Sequence, residues 1–331
     1  MKTMRDWKTW LKLILTVILL GALLRLVGWR ETWATLRSAN PRYLVLAVFL
    51  YTLTMWVRAW RWQVFLEGQG IRVPASRLTY LYFVGSFFNM VLPSGMGGDV
   101  VKYYELARHD RGDQAHFRAR VASSVLADRI CGLMVLFLMG TAVAPWARGL
   151  GIEMTLALLV ALTLAGVVGL ALVLNARVRE WFETHVPFAR ALINRRGIRG
   201  LYASLDGYTR PILLRATFYS LLFNILIIII NVVIGWAYNV HIDLMYYLIF
   251  VPIFSFTLAL PISINGLGVR EGAYVALFTQ AGVAHSVALA MSLTFYAVTL
   301  AIGLMGGVLY VVENALALRR MPQPEHMGDE Q

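Results

Sequence analysis

LMYYLIFVPIFSFTLALPISINGLGVREGAYVALFTQAG, residues 244–282, is an apolar run that breaks at Pro261, Gly266 and Gly268 and then resumes with an adjacent Arg270–Glu271 pair. A run this apolar is close to the length that crosses a hydrocarbon core about 30 Å thick. The proline and glycines interrupt the helix before a second apolar stretch begins, and two charges follow at once. Such residues are costly against lipid and normally face a bundle interior or an aqueous cavity. A second stretch has the same pattern: LTYLYFVGSFFNMVLP (78–93), followed by SGMGGDVVKYYELAR (94–108). LPSGMGGDVVK (92–102) and LPISINGLGVR (260–270) both read Leu-Pro, a Ser/Gly/Asn stretch, Gly-x-x-Val and then a base. Paired Gly/Pro-interrupted segments in corresponding positions of two halves point to a transporter-type binding site.

The rest of the chain fits a membrane setting. Of its 331 residues, 59% are hydrophobic and 15% charged, with a mean hydropathy of +0.65. A soluble domain carries about a quarter charged residues. Uninterrupted spans are expected at about 10–29, 42–64, 121–146, 152–174, 212–238 and 286–312. The N-terminal run, with Lys2, Arg5 and Lys8 before it, resembles a signal peptide. It is followed by RLVGWRE rather than a small-residue cleavage site, so it reads as a retained span. A net charge of +12 does not imply nucleic acid, because the basic residues lie between apolar spans and favour alternate loops.

Charge also decides the topology. If both broken stretches enter the membrane and return to the side they came from, loops 65–77, 109–120 and 175–211 share one face with both termini. Most of the Lys and Arg then lie on that face, and the other carries Arg30, Arg37, Arg42 and Arg148, with Arg25 at the edge. The positive-inside bias makes the richer face cytoplasmic. The expected architecture is all-α: a polytopic integral membrane protein with about six full spans and two oppositely oriented re-entrant helical hairpins, 78–108 and 244–281. One transmembrane domain covers 1–320. The Arg-rich loop 175–211 is expected to lie on anionic lipid or to dock a partner, and the polar tail 321–331 to be disordered. The chain is expected in the cell (inner) membrane with cytoplasmic termini.

Candidate site residues follow from the two breaks. A helix starting after Gly97 and Gly98 would present N–H groups and a positive dipole end to an anion such as a lipid phosphate, with Lys102 adding charge. Asp99 opposes a phosphate, so it is expected to N-cap the return helix or to pair with Lys102 or an arginine elsewhere. Glu105 continues the three-residue spacing. In the second break, Ser263, Asn265, Gly266 and Gly268 precede Arg270, whose planar fork suits phosphate. Residues i and i+1 do not share a helix face, so Arg270 and Glu271 are each expected to need a separate partner. Asp128 and Arg129 sit about two turns inside a span, with Asp128 expected to pair with Lys102 or Arg270. Arg58 and Arg61, among Trp56, Trp60 and Trp62, read as an interfacial belt. Asn224 and Asn231 read as interhelical hydrogen-bonding residues, and Gly303 and Gly307 as a close helix contact. A single cysteine, Cys131, and six scattered histidines give no support for a metal site, and no cofactor is expected.

At LPSGMGGDVVKYYELAR (92–108), ADRICGL (127–133) and LPISINGLGVREGAYV (260–275) the chain resembles the flippase-like transmembrane family, also called the lysylphosphatidylglycerol synthase transmembrane region. The resemblance runs from about 10 to 315. It implies a membrane protein that moves modified lipids, such as aminoacyl-phospholipids or lipid-linked sugars, between leaflets. By position it implicates Asp99, Lys102, Asp128, Arg129, Arg270 and Glu271. Members that make lysylphosphatidylglycerol add a soluble aminoacyl-transfer domain. This chain ends soon after its last span, so synthase activity is not expected and no catalytic residue is assigned. The expected function is translocation of an anionic, aminoacyl- or glycosyl-bearing lipid, with phosphate-bearing lipids as partners. The alternatives are a membrane-embedded lipid-phosphate transferase and a non-transporting partner of a glycosyltransferase or lipid synthase.

Overall fold

The computed structural model describes residues 21, 25, 27–92, 97–107, 114–147, 149–174, 208–259, 263 and 266–319. Most of the expected first span, most of loop 175–211, the tail, and Pro93, Pro261 and Asn265 lie outside them. The described residues form α-helices and one 3₁₀ turn, without a strand: α1 (Trp29–Arg37), α2 (Pro41–Gly68), α3 (Ala75–Val91), α4 (Gly97–Ala107), α5 (Gln114–Val143), α6 (Glu153–Leu174), α7 (Arg210–Ala237), α8 (Leu244–Ala259), α9 (Val269–Phe278) and α10 (His285–Arg319). Among these residues five helices are long and apolar enough to cross a membrane, within α2, α5, α6, α7 and α10. The chain is an all-α polytopic membrane protein.

Local chemistry sets the helix starts. Asn40 Oδ1 accepts the Arg42 N–H at 3.1 Å, and Pro41 occupies the first turn, where its missing N–H is no loss. Asp243 Oδ1 accepts the Met245 N–H at 2.8 Å and opens α8. Within α8, Pro252 cannot donate to the Leu248 carbonyl. A Cβ at Gly140 would lie 2.8 Å from that oxygen, so the glycine lets α5 close onto the spot where α8 lacks a bond.

Two helix pairs, α3–α4 and α8–α9, occupy the broken stretches, and α10 serves as a ruler for both. Arg77, near the start of α3, pairs with Glu105 near the end of α4 at 3.3 Å and also with Glu313 near the end of α10. The open end of the first pair therefore lies at the C-terminal end of α10. In the second pair, Tyr247 at the start of α8 meets Phe278 at the end of α9, ring centroids 5.5 Å apart. Val283, two residues before α10, donates to the Phe278 carbonyl at 3.2 Å. That open end lies at the N-terminal end of α10. The closed ends approach the middle: Arg270 bonds Ser292 and covers Tyr296, while Met90 abuts Gly303. Tyr296 and Gly303 are about 10 Å apart along the helix at 1.5 Å per residue.

Each pair has its own aromatic packing. Phe250, Phe254, Tyr274 and Phe278 bind α8 to α9, with Phe254 and Tyr274 centroids 4.4 Å apart. Trp62 and Tyr82 meet edge to face at 5.9 Å on the first pair's side. Lipid tails are as apolar as leucine, so close fit rather than water exclusion holds such helices together. Gly303 and Gly307 do form a close contact with α3, and Gly306, which the spacing did not single out, is tighter still: a Cβ there would overlap the Phe83 carbonyl. Backbone cannot swing aside. Gly306→Ala is expected to lose about 1–3 kcal/mol of stability by overpacking, seen as a lower thermal midpoint in detergent. Gly303→Ala, whose nearest obstacle is the flexible Met90 side chain, is expected to lose less.

Candidate functional site

The closed end of the first pair is built by glycine. Gly98 lies so near the Gly85 carbonyl that any Cβ would overlap it. Its N–H donates to Asn89 Oδ1 at 2.7 Å, so this amide is already satisfied by the chain rather than presented to an anion. Asp99 then accepts two cations, Lys102 Nζ and Arg129 Nε, each at 2.7 Å. Lys102 is buried, with its ammonium over the Tyr82 ring at 4.1 Å and the Trp62 ring at 5.2 Å. The expected pairing of Asp99 with Lys102 and a distant arginine is found. Glu105 reaches Arg77.

Asp128 corrects an expectation. Its Oδ1 takes Arg61 Nε at 2.6 Å and its Oδ2 takes the Tyr82 hydroxyl at 2.7 Å. Arg61 also donates to Ser220 at 3.3 Å and is 3% exposed, so it belongs to no interfacial belt. The reason lies further along α2. Val64, Phe65 and Leu66 continue the apolar helix to Gly68, which draws Arg61 inward. Trp56 and Trp60 do face outward, whereas Trp62 is fully buried and donates to Ser124 at 3.0 Å. Gly132, the glycine of ADRICGL, makes room for Arg61: a Cβ there would sit 2.6 Å from Nη1.

The second closed end also departs from expectation. Arg270 and Glu271 pair with each other rather than seeking separate partners. Gly268, with φ 85°, turns the chain at the helix start. Glu271 reaches back along the first turn and takes the Gly268 N–H at 2.6 Å on Oε2, leaving Oε1 for Arg270. In the first helical turn a long side chain can bend past the N-terminus, so the face rule for helix interiors does not apply. Arg270 Nε donates to Ser292 at 3.2 Å and its guanidinium lies 4.8 Å over Tyr296. Both residues are at least 98% buried. Ser263 is buried with its hydroxyl unpartnered among the described residues, and Gly266 turns with φ 73°.

α2 joins the two ends. Arg61 meets the first cluster, and about 15 Å away along the helix Tyr51 packs its ring 6.0 Å from Phe295, beside Tyr296 under the Arg270 guanidinium. α7 closes the side: Asn224 donates to the Gly132 carbonyl at 3.0 Å, and Asn231 accepts the Tyr274 hydroxyl while donating to Ile227 at 2.8 Å. Asp99 and Lys102 thus gather beside Asp128, Arg61 and Tyr82 in one polar cluster with Arg129 at its more exposed edge, while Arg270 and Glu271 form a second buried pair at the other closed end. Arg61, Tyr82, Asn89 and Ser292 are the partners that sequence reading missed.

The comparisons with known proteins agree with this architecture. The chain is 30% identical over 135 residues to a UPF0104 membrane protein of Pyrococcus horikoshii, covering 40% of this chain and 39% of that one. It is 29% identical over 118 residues to a UPF0104 membrane protein of Methanothermobacter thermautotrophicus, covering 35% and 34% respectively. The matched stretches thus span less than half the length of these relatives. The family model for the lysylphosphatidylglycerol synthase TM region matches residues 9–307. A match over so much of the chain, on a helical bundle of this kind, places the protein in the lysylphosphatidylglycerol synthase transmembrane-region family.

Proposed function

We propose that the protein is a lipid translocase, moving an anionic, aminoacyl- or glycosyl-bearing lipid between leaflets of the cell membrane. The observation that supports this reading is the pair of helix hairpins that open toward opposite ends of α10, with their closed ends, each bearing buried charge, directed inward from those ends. On this reading both hairpins are re-entrant, their mouths face opposite sides of the membrane, and both termini are cytoplasmic. A headgroup passes between the closed ends while its acyl or prenyl chains stay in lipid. Asp99 and Glu271 each hold a cation that an arriving anion would compete for. Exchange of partners at each end in turn gives alternating access without opening both at once.

The test must separate transport from folding. Arg270→Ala or Glu271→Ala alone leaves a buried charge uncompensated, which costs about 3–5 kcal/mol. The double variant Arg270→Gln/Glu271→Gln removes both charges and keeps hydrogen-bonding groups of similar size. It is expected to fold, and to move headgroup-labelled phosphatidylglycerol in proteoliposomes no faster than protein-free liposomes do. Transport at the unaltered rate by the folded double variant would falsify the proposal.

A further inference from the structure

The carboxylates of the two closed ends, buried or nearly so, are all taken. Asp128 is held by Arg61, Asp99 by Lys102 and Arg129, and Glu271 by Arg270. Arg58 is left over. Among the described residues no carboxylate pairs with it, and its Nε is buried without a hydrogen-bond partner. Its guanidinium lies over the Tyr82 ring at 4.7 Å and the Phe223 ring at 5.6 Å. Ring faces attract a cation, but they leave its in-plane N–H donors unused.

The location makes this surplus informative. Arg58 is about 5 Å from the midpoint of α2, well inside a hydrocarbon layer of about 30 Å. It sits one turn from Arg61, which belongs to the first cluster, and two turns from Tyr51, whose ring packs 6.0 Å from Phe295 beside Tyr296 and the second closed end. It is therefore between the two closed ends. A cation at this depth is expensive unless something neutralises it. A guanidinium fork matches phosphate oxygens two at a time.

We propose that Arg58 binds the phosphate of the passing headgroup, midway between the two hairpin ends. This inference rests on the translocase reading and assigns the residue that would hold the phosphate of its lipid substrate. Arg270, whose fork is engaged by Glu271 and Ser292, holds the second hairpin end in place.

The test uses the purified full chain in neutral detergent and fluorescent phosphatidylglycerol as the probe. Arg58→Gln is expected to weaken binding by at least about tenfold, and Arg58→Lys by less, since a point charge keeps the attraction but not the fork. Diacylglycerol of the same chain length is expected to compete poorly. Phe223→Glu places a carboxylate beside Arg58 and also beside Arg61, whose own carboxylate partner, Asp128, is already in place. It is expected to weaken binding as strongly as Arg58→Gln while keeping or raising the thermal midpoint, an outcome that a merely structural arginine would not give. Displacement of the probe by millimolar inorganic phosphate, lost in Arg58→Gln, would assign the same site to free phosphate rather than a headgroup. Binding within about twofold of the unaltered protein in both Arg58→Gln and Phe223→Glu would overturn the inference. Unchanged transport by Arg58→Gln would also overturn it and leave translocation standing. Arg58-dependent binding by a protein that moves no lipid would refute translocation and sustain the phosphate site.

Discussion

Asp128→Ala is expected to destabilise the bundle by about 3–5 kcal/mol, because Arg61 would remain buried without its counter-ion. The side chains of this pair are 4% and 5% exposed, and the fold has closed around them. α7 covers Arg61 through Ser220, and Gly132 fits against its guanidinium. Arg61 has no path to the surface without parting α2 from α5. Arg61→Ala is expected to cost less, since the Tyr82 hydroxyl still donates to Asp128. Arg61→Met/Asp128→Leu removes both charges and fills the space with apolar atoms, and is expected to recover most of the loss. Reversible unfolding of the purified variants in mixed detergent gives the three values. Their failure to add measures the pair's coupling. A loss below about 1 kcal/mol for Asp128→Ala, the size expected of a surface pair, would show that water reaches the site. The repaired double variant is expected to transport nearly as well as the unaltered protein, because the pair holds α2 against α5.

The parts of this architecture legible in the sequence are those written as local pattern. Long apolar runs mark α2, α5, α6, α7 and α10, and Pro/Gly breaks with charge mark the hairpins. The loop charges predict two oppositely oriented hairpins, and the two helix pairs do meet opposite ends of α10 through Arg77 and Phe278. The electrostatic partners were not legible, because they are set by helix packing. Asp128 was expected to reach Lys102 or Arg270, but α2 presents Arg61 one helix away. A span of 42–64 leaves that residue near its end, whereas the helix continues four residues further, to Gly68, and takes Arg61 inside. Arg270 and Glu271 were separated by a rule that holds in helix interiors. Their pairing depends on Gly268 starting the helix at that point. A glycine at 98 was expected to free a helix end for an anion, and Asn89, nine residues earlier, satisfies it.

Gly98→Ala is expected to abolish transport while a substitution on the other side of the same contact does not. A Cβ on Gly98 would overlap the Gly85 carbonyl oxygen, lie 2.7 Å from the Gly85 carbonyl carbon and come within 2.9 Å of Asn89 Nδ2. Two of these obstacles are backbone, so relief requires the closed end of α3–α4 to open. Asp99 follows directly in sequence, and its bonds to Lys102 and Arg129 would lengthen with that movement. A Cβ on Gly85 instead meets the Gly98 carbonyl oxygen at 3.2 Å and its Cα at 3.4 Å, which a shift of a few tenths of an ångström relieves. Gly85→Ala is therefore expected to keep most of its transport. The two variants add the same methyl group to one contact, so hydrophobicity and expression burden are matched. If the charged end needs its present geometry, transport of labelled phosphatidylglycerol in proteoliposomes falls to the protein-free rate for Gly98→Ala alone, with helical content by circular dichroism unchanged in both. Equal transport by the two variants would mean that the first hairpin supports the bundle without carrying the headgroup. Equal loss would place the requirement in the closeness of α3 to α4 rather than in the position of Asp99.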